Sequence, residues 1–68
     1  MDGKKIIKNA IWTAKRDGYD QVVYQDGDGL FWFQRDYPGR IVFPDEKIVG
    51  HVRVGWTAGI LSARYVPA

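Results

Sequence analysis

The chain predicts an α+β domain spanning residues 1–68: one N-terminal amphipathic helix, at about residues 3–17, packed on a four- or five-stranded antiparallel sheet. The sheet is expected to stay open or to curl toward a small barrel. Three observations lead there. Ile6, Ile7, Ala10, Ile11 and Ala14 recur at helical spacing. Residues 47–56 alternate with the period of a strand. The apolar run Leu30-Phe31-Trp32-Phe33 lies between two turn signals, Asp26-Gly27-Asp28-Gly29 and Tyr37-Pro38-Gly39.

The helix has start and stop signals. Asp2 is a candidate N-cap, Lys15 and Arg16 sit in the last turn where cations suit the dipole, and Gly18 can adopt the left-handed stop. Tyr19 is then expected to fold back on Ala14. On the helical wheel the apolar residues fill an arc of roughly 140°. Trp12 falls outside it, near Lys5, Lys8 and Arg16.

Gln21 to Gln25 reads as the first strand and Leu30 to Arg35 as the second, joined by Asp26-Gly27-Asp28-Gly29 as a tight hairpin turn. Pairing Gln25 with Leu30 places Tyr24 opposite Phe31 and Val22 opposite Phe33, with Val23 and Trp32 on the other face. Phe31 and Phe33 are expected beneath the helix and Trp32 outward. Arg40 to Phe43 reads as a short third strand stopped by Pro44. Lys47 to Trp56 is the longest strand, with Ile48, Gly50, Val52, Val54 and Trp56 on one face. Thr57-Ala58-Gly59 makes a turn, and residues 60–66 form a last strand, with a short helix as the alternative.

Composition excludes several classes of function. No cysteine is present, so disulfide frameworks and thiolate chemistry are excluded. No apolar run is long enough to span a bilayer as a helix, so no membrane partner and a cytoplasmic location are expected. With one histidine, a zinc site within one chain has too few ligands. Asp26-Gly27-Asp28-Gly29 opens like a calcium loop, but Leu30 holds the third ligand position and the closing glutamate is missing; a turn explains it. Ser62 and His51, the single residues of their kinds, lack the nucleophile-elbow spacing. The expectation is a non-enzymatic chain with no cofactor and no metal.

Charge is segregated. The net charge of +2 hides +4 in residues 1–16, −5 in residues 17–46 and +3 in residues 47–68. Such a two-signed surface can steer a charged partner, although solvated charge at turns accounts for much of it. The candidate partner-binding residues are Lys8, Trp12 and Arg16 on the helix, Trp32 and Arg35 on the second strand, and His51, Arg53 and Arg64 on the last two strands. Tryptophan and arginine dominate binding hot spots. The expected function is a small protein-binding module, an inhibitor or regulator of a larger protein; the likeness to accessory proteins of phages and mobile elements is an analogy of size and form.

The alternative is nucleic-acid binding through the basic helix or a basic and aromatic sheet face. Residues 29–35 resemble the aromatic strand of RNA-recognition and cold-shock sheets, although Asp28 stands where that motif carries a basic residue. A minor alternative is self-association into a homo-oligomer through a bare sheet face.

Overall fold

A computed structural model describes residues 3–68; the candidate N-cap Asp2 lies outside them. The helix α1 runs Gly3–Asp17, followed by β1 (Gln21–Gln25), β2 (Phe31–Arg35), β3 (Lys47–Thr57) and β4 (Ile60–Pro67). The strands form one antiparallel sheet in the order β2-β1-β3-β4, open at both edges, with α1 across one face. Residues 60–66 belong to a strand, and the sheet does not close into a barrel.

The helix ends as its sequence dictates. Gly18 takes φ 77° and donates its N–H to the Ala14 carbonyl at 2.8 Å, the left-handed stop. Ile6, Ala10 and Ala14 are buried against Val23 and Val52, flanked by Ile7, Ile11, Phe31, Phe33, Val49 and Val54. The two alanines let the helix approach the valines closely, and branched side chains on the sheet fill the space between. The Tyr19 ring, expected on Ala14, faces the Arg35 guanidinium at 3.5 Å.

The hairpin register differs from expectation by one residue. Gln25 pairs with Phe31, Tyr24 with Trp32 and Val23 with Phe33. The cause is a three-residue loop. Asp26 N–H donates to the Leu30 carbonyl at 2.9 Å, Gly29 N–H donates to the Asp26 carbonyl at 3.0 Å, and Gly29 adopts φ 83°. This is a turn followed by a left-handed glycine that adds one residue to the second strand. A one-residue slip sends every side chain of one strand to the other face. Val23, rather than Val22 and Tyr24, therefore joins Phe31 and Phe33 under the helix. Trp32 does face away from it, on the side of Tyr24.

β3 also departs from simple alternation. Val23 pairs with Gly50 but Tyr24 with Ile48, so Val49 is an extra residue in the ladder. The bulge turns Ile48 to the helix-free face beside Tyr24 and brings Val49 to the core cluster. Trp56, expected on one face with Val52 and Val54, is exposed at the far end of the β3–β4 hairpin.

Arg40 to Phe43 is not a strand. Residues 36–46 form an irregular strap over the helix-free face. It is bracketed by a turn at Tyr37–Arg40 and another at Phe43–Glu46, each closed by a backbone hydrogen bond. The strap explains why residues 21–24 are buried on both faces: α1 covers Val23 and the strap side covers Val22 and Tyr24.

Two substitutions test this architecture. A Cβ at Gly50 would collide with the Tyr65 ring, whose hydroxyl donates to the Val49 carbonyl at 3.1 Å across the bulge. Gly50→Ala is expected to cost about 1–3 kcal/mol in urea unfolding. At the β3–β4 turn Ala58 (φ 51°) and Gly59 (φ 77°) both hold positive φ, the pattern of a two-residue primed turn in which Asn-Gly is favoured. Ala58→Asn is expected to stabilise the chain by about 1 kcal/mol, read as a higher urea midpoint at unchanged slope.

Candidate functional site

The loop that sets the register also builds the site. Asp26 Oδ1 accepts the N–H groups of Asp28 at 2.9 Å and Leu30 at 3.0 Å, the short-range bonding that makes aspartate a turn residue. Its other oxygen, Oδ2, accepts the Trp32 indole N–H at 2.8 Å. One carboxylate thus shapes the turn and fixes the tryptophan ring. The Trp32 hydrogen bond, with those from the backbone, holds the Asp26 carboxyl below the usual aspartate range.

Beside Trp32 lies Tyr24, 5% exposed, whose hydroxyl accepts a 2.9 Å hydrogen bond from Gln34 Nε2. The strap supplies the next ring: Phe43 stacks on Tyr24 with centroids 6.3 Å apart and planes 29° apart. Arg40 holds the strap in place. Its guanidinium grips Glu46 with two bonds, at 2.6 and 3.1 Å, and lies 5.8 Å from the Tyr24 ring centroid. Glu46 Oε1 also accepts the Phe43 N–H at 3.0 Å. With side chains only 12% and 5% exposed, this ion pair is far better shielded than the surface pairs of the chain. It holds Glu46 below the usual glutamate range.

Between hairpin turn and strap lies a cleft of about 410 Å³ walled by Tyr24, Trp32 and Phe43 and bordered by Asp26, Asp28 and Asp45. That volume falls within the range of small-ligand sites. Gly27 allows the close approach that forms it, because a Cβ there would collide with the Asp45 carboxylate. Among the described residues, no three His, Cys, Asp or Glu are placed to hold a metal ion together.

The predicted partner-binding residues fall in separate places. Lys8, Trp12 and Arg16 share the outer face of α1, where Trp12 is 62% exposed and the Arg16 guanidinium sits 4.8 Å from its ring centroid. Arg16 is also paired with Asp17 at 2.8 Å. Arg35, at the end of β2, lies between the Tyr19 and Tyr37 rings at 3.5 and 5.4 Å. His51, Arg53 and Arg64 do share the helix-free face with Trp32, and Arg53 pairs with Arg64 across the ladder. That face is not strongly basic, however. Arg53 contacts Asp20 at 3.3 Å and Asp36 at 3.2 Å, and His51 Nε2 is 4.0 Å from Asp36. Ser62 pairs opposite Gly55, four positions along β3 from His51, or roughly 13 Å at the rise of a strand.

Comparisons with protein-family models, with curated proteins and with solved structures found no match to this chain. The site is therefore read from its own geometry.

Sequence reasoning singled out Trp32 but missed Asp26, Phe43 and the Arg40–Glu46 clasp. Asp-Gly-Asp-Gly signals a turn without saying that the first carboxylate reaches a tryptophan six residues on. Arg40 and Glu46, flanking an apolar triplet and Pro44, were the available sign that the segment closes on itself rather than extending as a strand.

The clasp gives the site a pH dependence. Asp26 and Glu46 have folded-state pKa values below their unfolded ones. Their contribution is thus complete above the unfolded pKa, roughly 4, and is lost as pH falls through the folded values. Followed by NMR from pH 7 to pH 2, the Trp32 indole N–H signal is expected to hold steady to about pH 4 and then to shift and exchange faster. Retention of the pH 7 signal down to pH 2 would contradict the Asp26 contact.

Proposed function

We propose that the chain is a small non-enzymatic protein-binding module of the inhibitor or regulator kind, and that it binds through the strap side of the sheet. The observation that carries this reading is the distribution of apolar surface. The helix side spends its isoleucines, alanines and valines in the core. On the other side Trp32, Phe43, Ile41 and Val42 stay exposed, the last two at 69% and 63%. Trp32 and Phe43 line one cleft, and Ile41 and Val42 directly precede Phe43 in the strap; grouped exposed apolar side chains mark interaction sites on small proteins. Trp32 is held by Asp26 and Phe43 by Tyr24, so the aromatic part of the surface is ordered before any partner arrives. Such preorganisation lowers the entropy lost on binding.

The test is capture of a partner from lysate by the wild-type chain and by the double variant Ile41→Asp/Val42→Asp, whose side chains are outside the core. The variant is expected to fold, by circular dichroism, and to lose the partner by at least about tenfold, the effect of removing one hot spot. Equal capture by a folded variant would overturn the assignment of the face.

A second reading has its own support. Trp12 stands exposed on a helix face that carries Lys5, Lys8, Lys15 and Arg16, the composition of a surface that meets phosphate backbones. If it binds nucleic acid, affinity for mixed DNA and RNA should fall steeply with salt and drop again in Lys8→Glu/Trp12→Ala. Absence of binding at low salt would remove this reading.

A further inference from the structure

We propose that the cleft walled by Tyr24, Trp32 and Phe43 receives a basic side chain of the partner protein, with an arginine guanidinium as the favoured occupant. The proposal rests on the strap-side reading above and adds the chemistry of the residue that is recognised.

Three observations on the cleft agree. Its walls are aromatic: Tyr24 and Phe43 are stacked on each other, and the Trp32 indole is pinned by Asp26. Aromatic faces attract cations, and tryptophan does so most strongly. Its border carries three carboxylates and no basic residue. Asp26 is occupied by the turn and by Trp32, but the Asp28 and Asp45 side chains have no hydrogen-bond or ion-pair partner among the described residues. They are free to accept a donor entering between them. Arg40, the cation of the strap, already rests on the Tyr24 ring and is neutralised by Glu46, so it does not cancel the negative charge of the border.

The charge selects the sign of the occupant, and the walls select its shape. A guanidinium is flat, stacks on aromatic faces and offers paired donors to carboxylates; an ammonium is a compact, strongly hydrated point charge.

The experiment is an NMR titration of the ¹⁵N-labelled chain with three capped tripeptides, Gly-Arg-Gly, Gly-Lys-Gly and Gly-citrulline-Gly; citrulline keeps the shape of arginine without its charge. The arginine peptide is expected to shift the Trp32 indole N–H and the Gly27 and Asp45 amides saturably. The lysine peptide should follow more weakly, and the citrulline peptide at least about tenfold more weakly, as loss of a charge-assisted contact implies. The variant Asp28→Asn/Asp45→Asn, with both changes at exposed positions, should lose the arginine response while keeping the rest of its spectrum. Equal binding of citrulline and arginine, an undiminished response in that variant, or shifts confined to residues outside the cleft would overturn the proposal. Movement of the same signals on simple dilution, without peptide, would assign the cleft to the basic helix of a second copy and overturn a partner protein as its occupant. If Ile41→Asp/Val42→Asp abolishes partner capture while Asp28→Asn/Asp45→Asn leaves it intact, the strap-side reading stands and the arginine reading falls.

Discussion

The three-residue turn at Gly27-Asp28-Gly29 is the constraint on which the rest of this structure depends. β1 and β2 are apolar on both faces, so hydrophobicity alone does not choose between two registers that differ by one residue. The choice falls to Asp26 and Gly29. Asp26 Oδ1 collects two backbone N–H groups, and Gly29 supplies the positive φ that places one extra residue before Phe31. From that single residue it follows that Val23 meets Phe31 and Phe33 beneath the helix, and that Tyr24 and Trp32 share the opposite face.

The second face then needs a cover, and one helix cannot reach both sides. The strap of residues 36–46 provides it without secondary structure. Its backbone polar groups are met by side chains: Gln34 Nε2 donates to the Ile41 carbonyl at 3.1 Å, and Glu46 accepts from Phe43 N–H while clasping Arg40. The cover reaches β1 and part of β2. Beyond Ile48 the same face of β3 turns polar at His51 and Arg53, with Arg53 tied to Asp20 and Asp36. The cleft lies where apolar cover meets uncovered Trp32. The binding surface proposed here is thus the unfinished edge of a second core, and its acidity comes from the turns at Asp26–Gly29 and Pro44–Asp45.

Much of the fold was legible because periodicity is a local property. The helix bounds, β1, the long β3 and the last strand follow from spacing and turn residues. Trp32 does point away from the helix, although the register from which that direction is expected is off by one residue. What was not legible depends on side chains reaching across space. The Val49 bulge moves Ile48 off the face that strict alternation assigns it, and its sequence mark is only Gly50, whose missing Cβ makes room for Tyr65. The residues 40–43 have the composition of a strand but are claimed by the Arg40–Glu46 pair. Of the candidate site, Trp32 could be read in advance; its partners Asp26, Tyr24 and Phe43 come from three separate segments. The eight predicted binding residues looked like two basic surfaces, yet only the helix face remains one. Arg53, one of the three residues of the expected basic sheet surface, is neutralised by two aspartates distant in sequence.

The register is open to direct measurement. Asp26 N–H bonds to the Leu30 carbonyl, and alternation along an antiparallel ladder then makes Gln25/Phe31 and Val23/Phe33 the close, non-hydrogen-bonded pairs. Nuclear Overhauser contacts between Cα protons are strongest across such pairs. The structure predicts strong Hα–Hα contacts from Val23 to Phe33 and from Gln25 to Phe31. Contacts from Tyr24 to Phe31 and from Val22 to Phe33 would mean the shorter turn, would put Val23 on the same face as Trp32, and would contradict the account at its root.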